Sequence, residues 1–402
     1  GVVKISFLNK VFVETPEFTT LVYLKDFDKE FSYIGSKILV LGKTKHIYHY
    51  LTNKNMYGYF IYLFSNNIPF VVYTDEEKIG EISGTESLFF SLVNNVRQNI
   101  YDTFSKYIVH TSWVSMSLIM GESSEMSKEF RENVRISGIS HIFSVSGFHV
   151  GVIVFALISL LSVFKLSKSF QFLVVSVFLV IYCFIVGLKP PVVRSSILAS
   201  VILLVRSLGT SPNYLNISLL TGIVMLIVNP FLSVDVGFIL SFLAVISIIL
   251  FSGYISDIIV SFFNKYNVEP SYFLNSLIIL FSVSLVSVLF TLPVVVLWFG
   301  SSSITGVVSS MVLVPLSSLN IVGGIMGYFL SLIMPYIGEY VFRTVNFLNL
   351  VFVIITELFS KLGFIVKFNL GDVFYYLVFF LVYYSLVVFL FLIVSRRIRI
   401  SI

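Results

Sequence analysis

From residue 143 onward the chain alternates long apolar runs with short breaks marked by charge, proline or glycine. Runs near 143–164, 170–188, 192–206, 214–230, 236–255, 272–298, 304–334, 340–360 and 373–395 approach the roughly 20 residues a spanning helix needs. The pattern predicts a polytopic α-helical membrane domain of about nine spans. The run at 304–334 is long and carries Gly306, Pro315, Gly323, Gly324 and Gly327. It is expected to be a broken or re-entrant segment, because irregular backbone at membrane depth must face protein or a wet cavity.

The first 80 residues follow another rhythm. VVKISFL, TTLVYLK, SKILVLGKTKHIYHY, YGYFIYLF and PFVVYT are short, alternating and rich in Val, Ile, Tyr, Phe and Thr. Such runs predict about five strands in a small all-β barrel or sandwich. Between the two regions, residues 84–110 place Leu88, Phe89, Leu92, Val93, Val96, Ile100, Phe104 and Ile108 at helical spacing, and a second helical stretch follows over 111–135. Both stretches are expected to lie at the membrane interface.

Charge sharpens the division. Of the 402 residues 12% are charged, against about 25% in soluble domains. Residues 1–140 hold 14 Lys/Arg and 15 Asp/Glu, whereas residues 141–402 hold 12 and 6. The net charge of +5 and the pI near 9.0 therefore reflect cations flanking membrane segments. They do not describe a basic nucleic-acid domain. The one cysteine, Cys183, excludes an intrachain disulfide and a cysteine-rich metal site. The chain begins at Gly1 with no signal segment, so a preceding stretch is expected. Arg396, Arg397 and Arg399 behind the last run put the C-terminus in the cytoplasm by the positive-inside rule, Lys165 and Lys168 on the same side, and the strand domain outside.

Candidate chemistry gathers at RISGISHIFSVSGFHVGVI, residues 135–153. His141, His149, Ser137, Ser140, Ser144 and Ser146 crowd the mouth of the apolar domain. Polar groups there are costly unless they face protein, water or a ligand. Two histidines eight apart sit about 80° apart on a helix and could share one face. No carboxylate lies close enough in sequence to complete a metal site, so none is assigned. Ser146 with His149 lacks a nucleophile elbow and an orienting third group, so no catalytic residue is assigned either. Arg194 follows Lys189-Pro190-Pro191, where it either meets phosphates or anchors at the interface. Asp235 either caps the helix that follows it or pairs with Arg194. Ser241 lies in a small-residue stripe with Gly237 and Ala244 suited to close helix packing. Pro293 frees a backbone carbonyl in the sixth run, and Asn320 is the deepest amide of the seventh. In the strand region Lys43, Lys45, Tyr48, Tyr50, Tyr57 and Tyr59 form either a base-stacking face for single strands or a solvated Tyr-rich sheet. No phosphate-binding Gly-rich loop with Lys-Ser/Thr occurs, so ATP-driven work would need a separate ATPase.

Four segments occur in one order: SLIMGESSEMSKEFRENVRISGISHIFSVSGFHVGV, KPPVVRSSIL, NPFLSVDVGFILSFLAVISI and FTLPVVVLWFGSSSITGVVSSMVLVPL. They resemble the competence domain of the ComEC/Rec2 family of DNA-uptake proteins, and the strand region resembles that family's OB-like domain. The resemblance implies an OB-like domain over 1–83, interfacial helices over 84–140 and a transmembrane channel domain over 141–402. It implies passage of single-stranded DNA through a bacterial inner membrane during natural transformation, with an external DNA receptor, a cytoplasmic ATPase and a possible homo-oligomer as partners. It implies no cofactor. The family's metallo-β-lactamase-like domain has no counterpart here, since no His-x-His-x-Asp-His pattern occurs. The other readings are a permease of the same fold for another solute, and a membrane-bound hydrolase or nuclease.

Overall fold

A computed structural model describes residues 88–123, 125–266, 270–299, 301–367 and 382–385, and within the N-terminal region 2–7, 10–14, 19–24, 37–40, 42–48, 63, 68–74 and 79–82. Seven strands form the N-terminal sheet: β1 (Val2–Phe7), β2 (Lys10–Glu14), β3 (Thr19–Leu24), β4 (Lys37–Val40), β5 (Lys43–His46), β6 (Phe70–Thr74) and β7 (Ile79–Ile82). Their order is β5-β6-β3-β2-β1-β4-β7. The β3–β6 pair is parallel, and the other pairs are antiparallel. Val40 ends β4 and Lys43 begins β5, so the chain can separate them by at most about 11 Å. In a flat sheet the five steps from β5 to β4 would separate them by about 24 Å. The sheet must therefore curl enough to bring β4 back towards β5, around a core of Leu21, Ile47, Leu63, Ile68 and Val71.

The helices are α1 (Leu88–Tyr107), α2 (Ser112–Ile119), α3 (Lys128–Ile136), α4 (Ser140–Phe143), α5 (Gly147–Val163), α6 (Lys168–Ile185), α7 (Pro190–Ser207), α8 (Tyr214–Val228), α9 (Val236–Lys265), α10 (Tyr272–Phe299), α11 (Gly306–Ile333) and α12 (Pro335–Lys361). A short strand pair, β8 (Ser301–Ser303) with β9 (Ile365–Lys367), brackets the last two. Polar caps start several of them. Ser127 Oγ accepts from Phe130 N–H, Asn213 Oδ1 from Asn216 N–H, and Asp235 Oδ1 from Phe238 N–H.

The first eight of the nine apolar runs are helices, α5 to α12. Among the described residues six are long and apolar enough to cross a membrane: α6, α7, α9, α10, α11 and α12. Helices α5 and α8, of 17 and 15 residues, fall short of the roughly 20 that a span needs. The ninth run, 373–395, lies outside the described residues except for 382–385. The described residues thus carry six candidate spans, and the expected count of about nine is not reached within them.

The expected break over 304–334 is absent. Helix α11 runs unbroken for 28 residues with Pro315 inside it. Its glycines serve close packing instead. A Cβ on Gly324 would stand 2.6 Å from Ile119 Cδ1, and one on Gly323 would stand 3.0 Å from Val345 Cγ2. The hairpin between α11 and α12 turns on Met334 alone, and Gly338 lies so close to Ser331 that a Cβ would sit 2.5 Å from its Cα.

Helix α2 lies inside the helical bundle. Val114 to Ile119 are all buried, and the helix packs against α11 and α12. Phe104 of α1 meets Phe342 of α12 edge to face at 5.1 Å. The stretch expected to lie on the membrane surface therefore contributes to the bundle core. A separate cluster joins α9 and α10 through Leu243, Phe251, Val286 and Phe290, with Tyr383 and Tyr384 against it.

Candidate functional site

The polar motif at 135–153 folds as a turn, a one-turn helix and a helix start. Gly138, at φ +76°, lies against Gly306, where a Cβ would sit 2.6 Å from the Gly306 Cα. Ser309 Oγ donates to the Ser137 carbonyl at 2.7 Å, and Ser303 Oγ donates to the Ile136 carbonyl. The motif is thus clamped to the start of α11. His141 and His149 do not share one helix face. His141 is exposed on α4, whereas His149 is 0% exposed on α5. The extended residues Ser144 and Ser146 between the two helices reset the helical phase that the eight-residue spacing assumed.

Ser146 caps α5. Its N–H donates to His149 Nδ1 at 3.1 Å, and its Oγ lies 3.1 Å from the same nitrogen. An Nδ1 that accepts places the ring proton on Nε2. That Nε2 is buried and makes no hydrogen bond. Among the described residues no carboxylate orients the ring, and no three His, Cys, Asp or Glu side chains converge. The pair holds a helix start together and has no third group to make the serine a nucleophile.

The expected channel residues separate into distinct surroundings. Arg194 of α7 is 4% exposed. Its guanidinium lies 5.6 Å from the Phe238 ring and 5.3 Å from the Phe242 ring of α9. NH2 donates to the Gly237 carbonyl at 3.2 Å, and NH1 is buried with no hydrogen-bond partner. Asp235 caps α9 through Phe238 N–H at 2.7 Å and acts on Arg194 as a charge, without a direct ion pair. Ser241 is half-buried on α9.

Asn320 belongs elsewhere. It donates to Asn349 Oδ1 and accepts from Ser115 Oγ at 3.1 Å. Asn349 Nδ2 donates to the Thr111 carbonyl at 3.0 Å and to Ser115 Oγ at 2.9 Å. Its amide is engaged within the α2–α11–α12 core. Pro293 is buried in α10. The carbonyl it cannot serve, that of Leu289, accepts from Tyr383 O–H at 2.8 Å.

A cleft of about 330 Å³ opens where the α2–α3 connection, α4 and the α6–α7 turn meet. Lys189 and Arg131 line it with Ser123, Ser140 and Ser144. The α6–α7 turn uses left-handed Gly187 and Leu188 (φ +84° and +52°), and Pro190 and Pro191 start α7. Lys189 is thereby aimed at the Met120 and Gly121 carbonyls, to which its ammonium donates at 3.1 and 2.7 Å. Burial pulls its amine down to about 8, with Glu122 opposing the shift and Arg97 reinforcing it. Glu122 itself pairs with Arg97 at 2.7 Å. Five residues separate Lys189 from Arg194, about 140° around α7, so the two cations face different neighbours.

In the strand domain Lys43, Lys45 and Tyr48 are exposed. Lys45 Nζ lies 5.6 Å from the Tyr73 ring, and His46 stacks on Tyr48 at 4.9 Å. Tyr50, Tyr57 and Tyr59 lie outside the described residues. Sequence reasoning overlooked Lys189, Arg131 and Asn349. An asparagine in an apolar helix was a visible sign, but nothing local pointed Lys189 back across 68 residues to Gly121.

Residues 118–397 match the family described as competence protein. The chain belongs to the competence protein family. The family region takes in α3–α12 and, with them, the motif, the cleft and Arg194. With six helices of this length and apolarity among the described residues, the chain is a multi-pass membrane protein. It is 26% identical to ComE operon protein 3 of Bacillus subtilis (strain 168) over 211 residues, 52% of this chain and 25% of that relative. The chain thus spans about a quarter of that relative's length. No solved structure matches it.

Proposed function

We propose that this competence protein is the membrane conduit that takes single-stranded DNA into the cell. The observation that carries the reading is Arg194, a guanidinium buried in the bundle with one nitrogen unpartnered. An intramembrane cation is costly and marks a pathway or site by default. A planar guanidinium also suits phosphate oxygens. The proposed path runs between α7 and α9, past Asp235 and Ser241, with the Ser144–His149 start of α5 beside it. Gly147 lies close enough to α7 that a Cβ on it would sit 3.5 Å from Ser195 Cβ. His141 would lie at the entrance, and Pro293 and Asn320 would shape neighbouring helices.

The strand domain, read as OB-like from its curled order and its parallel β3–β6 pair, would receive the strand outside on Lys43, Lys45 and Tyr48. The C-terminus would lie in the cytoplasm. An external DNA receptor, a cytoplasmic ATPase and a second copy of this chain are the proposed partners, and this chain itself breaks no bond.

The test is uptake by cells in which the gene is disrupted and then complemented. Arg194→Ala should abolish transformation while the protein still accumulates in the membrane, and Arg194→Lys should restore part of it. Wild-type transformation by Arg194→Ala would refute the path.

A further inference from the structure

Helix α1 carries a polar surface that the conduit reading does not use. Its start lies against the C-terminal end of α6, where Phe89 meets Phe184 edge to face at 4.9 Å. Its end lies against the first turns of α12, where Tyr107 stacks on Phe342 at 5.3 Å. These are opposite ends of the bundle. The end of α6 turns into α7, α7 begins beside Gly147, and the motif before Gly147 is clamped to the start of α11. Helix α11 then runs its full length before the Met334 hairpin starts α12. The 20 residues of α1 cover about 30 Å, the thickness of a hydrocarbon core. Helix α1 thus crosses the bundle, although it is too polar to count among the six apolar spans.

Its outward face forms one seam. Leu92, Asn95, Asn99, Asp102 and Lys106 are all exposed, and their spacing of three, four, three and four is that of a coiled-coil heptad. Lys106 lies at the level of the exposed Glu339–Arg343 ion pair of α12. Asp102, Asn99 and Asn95 lie about 6 to 16 Å deeper along the helix. Lipid offers no partner to amides and a carboxylate at that depth. Asn99 Oδ1 accepts from Tyr328 O–H at 2.9 Å, and Asp102 Oδ1 accepts from Gln98 Nε2 at 3.2 Å. The Asn99 Nδ2 and the second Asp102 oxygen have no partner among the described residues.

We infer that this seam is where a second copy of the chain docks, α1 against α1, around a twofold axis along the membrane normal. Two copies inserted in one membrane share one orientation, so their α1 helices run parallel. An amide both donates and accepts, so Asn95 and Asn99 each pair with their own counterparts across the axis. A polar residue at a core position of such a seam fixes register and strand number. Asp102 and Lys106 lie about one turn apart, so the acid of each copy reaches the base of the other. A DNA strand is a poorer occupant, because the seam carries one acid for its one base and offers no excess positive charge. The second copy is one of the partners of the conduit reading, but the seam does not need DNA to pass, so the two can fail separately.

The test uses the full chain in membrane vesicles. Cys183, the one cysteine of the chain, is buried, so single cysteines can be introduced elsewhere. Asn95→Cys and Asn99→Cys should each give disulfide-linked dimers on mild oxidation, because facing seam positions bring their Cα atoms within disulfide range. Ile223→Cys, exposed on α8, should not. Failure of both seam cysteines to link, or linking of Ile223→Cys as readily as theirs, would overturn the proposal. Asp102→Lys changes an exposed position and should weaken dimerisation of the detergent-purified protein at least tenfold by light scattering. Adding Lys106→Asp to it should restore the dimer. A wild type that is monomeric at micromolar concentration would overturn the seam, as would a double variant no better than Asp102→Lys alone. Rapid modification of Asn99→Cys by a membrane-impermeant cationic thiol reagent would overturn it too, since water and not protein would then cover the stripe. Dimers that persist in an Arg194→Ala protein unable to transform would support the seam independently of the path at Arg194.

Discussion

Two buried polar clusters in the bundle differ in what they leave undone. Around Asn349, the side chains of Ser115, Asn320 and Asn349 are 0% exposed, and each has hydrogen-bond partners on α2, α11 or α12. Around Arg194, a full charge is held by one carbonyl, two aromatic faces and a distant carboxylate, with NH1 left over. The first arrangement is what a buried network needs to fix one packing. The second is worse than an apolar replacement would be if stability were all that mattered. A satisfied cluster specifies how helices dock, and an unsatisfied charge points to something else that must visit it.

That contrast can be broken by substitution. The largest effect is expected for Arg194→Leu. Transformation should be lost, yet the detergent-solubilised protein should melt no lower than the wild type, because a buried charge has been replaced by packing. A fall in melting temperature with normal uptake would place Arg194 with the Asn349 cluster as a structural group. Next comes Asn349→Ala. It strands the Asn320, Ser115 and Thr111 groups, at roughly 1–3 kcal/mol for each buried group left unmade. Membrane levels should drop, with uptake falling only in proportion. Normal uptake per molecule with normal stability would show that the network is dispensable.

A middling effect is expected for His149→Ala. Loss of the Nδ1 acceptor at the start of α5 should cost about 1 kcal/mol, in the range of a lost helix cap, and thermal unfolding would register it. The smallest effect lies in the strand domain. Tyr48→Ala should weaken single-stranded DNA binding by the full chain by roughly 1–3 kcal/mol, the worth of one stacked base, measured at low salt. Unchanged affinity would remove Tyr48 from the contact face.

How much of this could be read from the residues depends on the range of the interaction. The apolar runs marked eight helices because membrane-scale hydrophobicity is local. Four of the five alternating runs marked strands for the same reason, and YGYFIYLF lies outside the described residues except for Leu63. Nothing local could tell that Gly323 and Gly324 admit neighbours instead of breaking α11, since that depends on Ile119 and Val345 arriving from elsewhere. The eight-residue spacing of His141 and His149 misled because Ser144 is extended. Asp235 as a cap was legible from its place before an apolar run, whereas its relation to Arg194 is charge at a distance and needed the tertiary fold. Lys189 was invisible as a cleft residue because Gly121 lies 68 positions back.

The bond from Tyr383 to the Leu289 carbonyl also sets an order of events during synthesis. Its donor is 94 residues downstream of its acceptor. At about 5–20 residues per second, α10 is complete for roughly 5–20 seconds before that hydroxyl exists. During this interval the carbonyl released by Pro293 must be served by water or by the insertion machinery, since lipid offers no donor. Docking of the segment around Tyr383 against the α9–α10 pair is therefore a late step of biogenesis.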